Sequence, residues 1–175
     1  MRNLLILMLC ISMPSMAQDE NPENPAPPPC STGKYHQFDF WIGEWIVTSN
    51  GQKAGTNSIH PVHGGCALQE NWQGVGPGGI SGSSFNIYDQ VSDRWHQTWV
   101  DSSGTLLQLD GGWQGGSMVL EGKRPAADGN GVASHRISWT PHADGSVQQL
   151  WEASKDGQSW TVLFDGLYEK VSAKQ

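Results

Sequence analysis

The sequence predicts an all-β fold, an antiparallel up-and-down β-barrel of about ten strands. Three observations carry this reading. Short segments alternate apolar and polar residues with a period of two, and they are rich in aromatic and β-branched side chains. Gly, Asp and Asn turns divide these segments, with Asp144-Gly145 and Asp156-Gly157 as the strongest hairpin punctuation. No stretch after residue 45 carries helical periodicity. Many sequential strands joined by short turns make a sandwich or a barrel, and closing the sheet removes the edges that invite aggregation.

Residues 1–17 have the pattern of a cleaved signal peptide. Arg2 supplies the positive end, Leu4 to Ile11 the apolar stretch, and Ser15-Met16-Ala17 a small-x-small cleavage site. Leu9, a large residue, stands where a lipoprotein cleavage box needs a small one before Cys10. No other segment is long and apolar enough to span a bilayer as a helix, so no membrane insertion of the mature chain is expected. Residues 18–33 hold five prolines among polar residues and read as a disordered or polyproline-II linker. The barrel domain is expected over 34–171, followed by a short tail at 172–175. The destination of such a chain is the periplasm or the outside of the cell.

Composition narrows the function. The formal net charge is −7, and removal of Arg2 with the leader takes it to −8. An acidic chain without a basic run excludes nucleic acid and anionic lipid as partners. Export leaves Cys30 and Cys66 in an oxidising compartment, where a disulfide between them is expected.

Candidate strands follow in order at 44–50, 54–62, 66–73, 82–89, 93–101, 104–111, 116–123, 133–140, 146–153 and 159–170, with a single helical turn expected in Phe38 to Trp45. Alternation assigns faces. The sides expected to turn inward carry Leu68, Glu70 and Trp72; Trp95, Gln97, Trp99 and Asp101; His135, Ile137 and Trp139; Val147, Gln149 and Trp151; and Trp160, Val162 and Phe164. These faces are not purely apolar. A buried polar group costs a few kcal/mol unless paired, so Glu70, Gln97, His135 and Gln149 either bond one another between strands or face a partly wet cavity.

The most specific stretch is Phe38-Asp39-Phe40-Trp41-Ile42-Gly43-Glu44-Trp45. Trp41, Gly43 and Trp45 are read as structural, because Gly-x-Trp before a first strand is similar to the signature with which lipocalins close one barrel end. With Tyr88-Asp89, Trp95-His96-Gln97-x-Trp99-Val100-Asp101, Trp139-Thr140-Pro141 and Leu150-Trp151-Glu152, the chain resembles a bacterial family of exported calycin-like domains of unknown function over about residues 35–170. The resemblance implies a lipocalin-like barrel and export, and it brings no established activity. Where lipocalins set an Arg against the signature Trp, the best-placed base here is Lys170.

The remaining motifs have structural readings. His60-x-x-His63-x-x-Cys66 alternates faces on a strand and shares its Cys with the disulfide, so no metal is expected. His96 and His135 read as hydrogen-bonded barrel residues. Gly74-Val75-Gly76-Pro77-Gly78-Gly79 fits the dinucleotide fingerprint in spacing but leads into a strand, so no cofactor is expected. Glu70, Asp101 and Glu152 are the carboxylates for any glycosidase-like pair, with Glu152 on the face opposite Trp151. There is no nucleophile elbow, and the enzyme reading ranks third. The first-ranked function is binding of a small amphiphilic or aromatic ligand inside the barrel. Glu70, Gln97, His135 and Gln149 would orient it, and Trp72, Trp95, Trp99, Trp139 and Trp151 would supply contact. The second is a structural or protein-interaction module with a filled interior.

Overall fold

Each alternating segment forms a strand, and each strand pairs antiparallel with the next in sequence. In the computed structural model, which describes residues 27–126 and 128–171, these are β1 (Gly43–Ser49), β2 (Gln52–Val62), β3 (Ala67–Gly74), β4 (Ser81–Asp89), β5 (Arg94–Asp101), β6 (Leu106–Gln114), β7 (Ser117–Pro125), β8 (Val132–Pro141), β9 (Val147–Ser154) and β10 (Thr161–Lys170). β10 returns to β1, with Trp45 opposite Lys170 and Thr48 opposite Leu167, and the sheet closes. The architecture is the expected all-β, ten-stranded up-and-down barrel, consistent with a lipocalin-like fold. The expected signal peptide 1–17, linker residues 18–26 and tail 172–175 lie outside the described residues. No helix among the described residues is long and apolar enough to cross a membrane.

Strand direction alternates, so the β2–β3, β4–β5, β6–β7 and β8–β9 connections share one end of the barrel with the start of β1. That end is plugged. Two 3-10 turns, Gly33–His36 and Asp39–Trp41, carry the N-terminal segment over it. The ring of Phe38 stacks on Trp41 at 4.9 Å and meets Trp95 and Trp139 edge-on at 5.6 and 5.1 Å. All four rings are buried, with Phe38, Trp41 and Trp139 fully so. Each large ring removes much apolar area from water, and perpendicular ring pairs add to that gain.

The Gly-x-Trp signature has a local cause. Gly43 takes φ 145, a conformation closed to side-chain-bearing residues, and this turns the chain from the plug into β1. Trp45 then points inward, and its indole N–H donates to the Trp41 carbonyl at 2.9 Å. The ammonium of Lys170 sits 5.3 Å from the centre of the Trp45 ring, so a lysine covers the signature tryptophan here.

One expected face is corrected. In β10 the register shifts between Val162 and Phe164, so Leu163 is an extra residue in the pairing with β9. Only Phe164 of the expected trio points inward. Val162 is half exposed, and the Trp160 ring lies under the Arg136 guanidinium, 4.1 Å away. Strict alternation cannot register a bulge, and every residue on the far side of it changes face.

Cys30 and Cys66 form the expected disulfide and tie the N-terminal segment to the residue before β3. The two positions are 36 residues apart, and closing a loop of that size stabilises by about 4 kcal/mol in the chain-entropy model. Replacing both cysteines with alanine is expected to lower the unfolding free energy by about 2–4 kcal/mol. Urea titration measures the loss, and a native far-ultraviolet circular dichroism spectrum at zero denaturant checks that the barrel persists.

Candidate functional site

The interior changes character along the barrel axis. Above the aromatic plug, polar side chains from six strands join hands. On β5, Gln97 donates to Asn86 of β4 at 2.8 Å, and Asn86 donates to Ser84 at 2.9 Å. Ser84 and Asn57 of β2 donate to the two carboxylate oxygens of Glu70 on β3, at 2.6 and 2.7 Å. Tyr168 of β10 lies 3.4 Å from the Asn57 amide and donates its hydroxyl to Gln149 of β9. This belt satisfies most of its members, as buried polar groups require. The exception is Oδ1 of Asn57, which is buried without a partner among the described residues.

Glu70 is the unusual member. It is 4 % exposed, and none of its partners carries positive charge. Burial penalises its ionised form more than the hydrogen bonds from Ser84 and Asn57 favour it, and its pKa is pushed up to about 7. Tyr168 is pushed well above the ordinary phenol range, first by burial and then by the nearby Glu70 charge.

Beyond the belt the barrel opens into two adjoining chambers. The inner one, about 220 Å³, has Glu70, Gln149 and Tyr168 at its floor and Trp72, Trp99, Trp151 and Phe164 as walls. Leu163, delivered by the β10 bulge, and Ile80 of the β3–β4 loop complete it. The outer one, about 600 Å³, shares Trp151 and Leu163 with it and is bounded by Arg124, His135, Ala133 and Thr161. These volumes fall within or just below the range of small-molecule sites.

No protein-family model matches the chain, and no curated protein matches its sequence.

The wall rings are held in place. Trp99 donates its N–H to Asp101 at 3.1 Å and packs against Gly82, where a Cβ would come within 2.3 Å of the ring. Trp72 lies over Gly55 in the same way, with a would-be Cβ at 2.6 Å, and meets Phe164 at 6.0 Å and 78°. Glycine at these two positions gives each ring a seat on the neighbouring strand. Trp151 donates to Nδ1 of His135 at 3.1 Å, so neutral His135 carries its proton on Nε2. Burial and then the Arg124 charge hold the His135 pKa below the ordinary imidazole value. Burial alone would raise Asp101, but hydrogen bonds from Ser103, Trp99 and the backbone of Thr105 outweigh it and keep the carboxyl below its usual range.

The structure brings Glu70, Trp72, Trp99, Gln149 and Trp151 together at the inner chamber, and His135 joins them through Trp151 in the outer one. It places Trp95, Gln97 and Trp139 elsewhere. Trp95 and Trp139 pack against the plug, and Gln97 is spent on Asn86 within the belt. Glu152 faces outward, in an ion pair with Arg136 at 2.9 Å. His60 meets Glu44 at 3.1 Å, and His96 bonds Asp110 and Thr98, all on the outer face. Sequence reasoning passed over Tyr168, Leu163 and Arg124. Tyr168 was legible from the Phe164-Gly166-Tyr168 alternation, whereas the bulge that aims Leu163 left no mark in the periodicity.

The Glu70 pKa makes a stability prediction. In the unfolded chain this carboxyl ionises near 4.5, and in the fold near 7. Between those values the folded state binds more protons, so its stability falls as pH rises through that window and levels off above it. Glu70→Gln removes the buried charge. The variant is expected to be more stable than the parent at pH 8, by up to about 3 kcal/mol, with the difference vanishing by pH 4. Thermal melts of both proteins across pH 4–8 measure this, and equal pH profiles would refute it.

Proposed function

We propose that this protein is an exported binding barrel that takes a small amphiphilic or aromatic molecule into its open end. One observation carries the reading, namely four braced aromatic walls set over a polar floor in a chamber that the barrel does not fill. Such a site buries the apolar body of a ligand against rigid rings and orients its polar group at Glu70, Gln149 and Tyr168. Hydrogen bonds fix Trp99 and Trp151, and packing on Gly55 and Phe164 holds Trp72, before the ligand arrives, which reduces the ordering cost of binding.

The disulfide supports a destination in the periplasm or outside the cell, since such bonds persist in oxidising compartments. The resemblance of the Phe38-to-Trp45 stretch to exported calycin-like domains agrees with that destination. Asp101 and Glu70 share the inner chamber, but both oxygens of each carboxyl already accept hydrogen bonds from the protein, so binding is the better reading than hydrolysis.

The neutral fluorophore N-phenyl-1-naphthylamine tests the proposal. Addition to the mature protein is expected to raise the dye's emission and quench tryptophan fluorescence, in a saturable way. Trp151→Ala is expected to weaken the dye by about tenfold, a loss of about 1.4 kcal/mol, with a melt confirming that the variant folds. Native mass spectrometry of protein taken gently from its source is expected to show added mass that mild activation removes. A folded barrel with neither dye uptake nor added mass would defeat the reading.

A further inference from the structure

The two chambers differ in charge: Arg124, Lys155 and Asp156 line the outer one, whereas the charged groups of the inner one are acids. The inner chamber holds two carboxyl groups, Glu70 and Asp101, and among the described residues no basic side chain lines it. Its basic neighbours stand on the other side of Trp151, where Arg124 and Lys155 border the outer chamber. Lys155 is paired there with Asp128. Among the described residues Glu70 has no basic partner at all. Around these acids stand the rings of Trp72, Trp99, Trp151 and Phe164, with Tyr168 beside them.

An electron-rich aromatic box with carboxylates and no cation of its own has a specific chemical complement. Ring quadrupoles attract a cation held over their faces, most of all when water is excluded. A substituted ammonium suits the box better than a metal ion, because its alkyl groups gain from apolar walls and it sheds little hydration. We propose that the inner chamber is a site for a small organic cation, a substituted ammonium group seated among Trp72, Trp99, Trp151 and Phe164 with Glu70 and Asp101 as counter-charges. This rests on the binding reading above and names its ligand class.

The floor then has a reason to hold an acid with no basic partner. A buried carboxylate lacking a cation favours its neutral form, and a bound ammonium supplies the missing charge. Binding is therefore expected to strengthen as pH rises through about 7, where Glu70 loses its proton in the empty site. The groups facing Glu70 leave that profile simple. Asn57, Ser84 and Gln149 do not titrate. Tyr168 stays protonated, Asp101 is already ionised, and His135, the imidazole behind Trp151, has its pKa held below the ordinary value by burial and by Arg124.

Three probes of one shape and different charge test the idea by calorimetry and tryptophan fluorescence on the mature protein. They are choline, its neutral carbon analogue 3,3-dimethylbutanol, and the anion 3,3-dimethylbutyrate. Choline is expected to bind at pH 8 about tenfold more tightly than the neutral analogue, with the anion weakest. That preference is expected to shrink at least several-fold at pH 5.5, and to lose its pH dependence in Glu70→Gln. The wild-type pH profile carries the test by itself if the variant does not fold. Equal or tighter binding of 3,3-dimethylbutanol would overturn the cation site while leaving a ligand-binding barrel in place. Preference for the anion would also overturn it and would point to Arg124. Absence of binding by all three probes, with the neutral fluorophore still taken up, would overturn the cation site alone. Absence of every one of these signals would remove the binding reading as well.

Discussion

A closed barrel of about eight strands is just wide enough for its own side chains to fill, and a ten-stranded one encloses more. The rest of this structure answers that surplus. At one end the chain spends its N-terminal segment as a stopper, and the rings of Phe38 and Trp41 meet Trp95 and Trp139 across the axis. At the middle, residues of intermediate size reach one another only because they are polar and long enough to bridge. At the far end the side chains line the wall without filling the middle, and a cavity is what remains.

The three layers differ in what holds them. The plug is held by area and ring geometry, and it tolerates two buried indole N–H groups, of Trp41 and Trp139, that lack partners. Such groups cost about 1–3 kcal/mol each, so the packing gain must exceed that sum. The belt works differently. Its hydrogen bonds offset desolvation more than they add stability. They also set distances between β2, β3, β4, β5, β9 and β10, and so fix the shape of the floor above. Glu70 is where offset is incomplete, and an acid held near neutrality at the base of an aromatic chamber is the chemical asset of the molecule.

Mobility of the open end is restrained by short-range devices. Asp101 gathers Trp99, Ser103 and Thr105, and Asp156 gathers Ser154 and Ser159 along the loop that borders the outer chamber. The β10 bulge turns Leu163 into the mouth. Bulges beside sites commonly re-aim a side chain in this way.

The sequence by itself determined the all-β class, the ten strands to within a few residues, the disulfide partners, the Gly43-Trp45 corner and the inward faces of five strands' worth of side chains, save in β10. These are local properties: a period of two, turn residues, and a backbone angle that only glycine tolerates. It also picked out Glu70, Trp72, Trp99, Gln149 and Trp151, because polar and aromatic residues on an inward face are visible in one dimension. Depth along the barrel axis is not visible there. Trp95 and Trp99 share a face and are four residues apart, yet one packs under the plug and the other lines the chamber. Only the tertiary structure decided that, together with the register of β10 and the glycine seats at Gly55 and Gly82. Each of these depends on where a neighbouring strand lies, and strand register is set by the closure of the whole barrel rather than by any single segment.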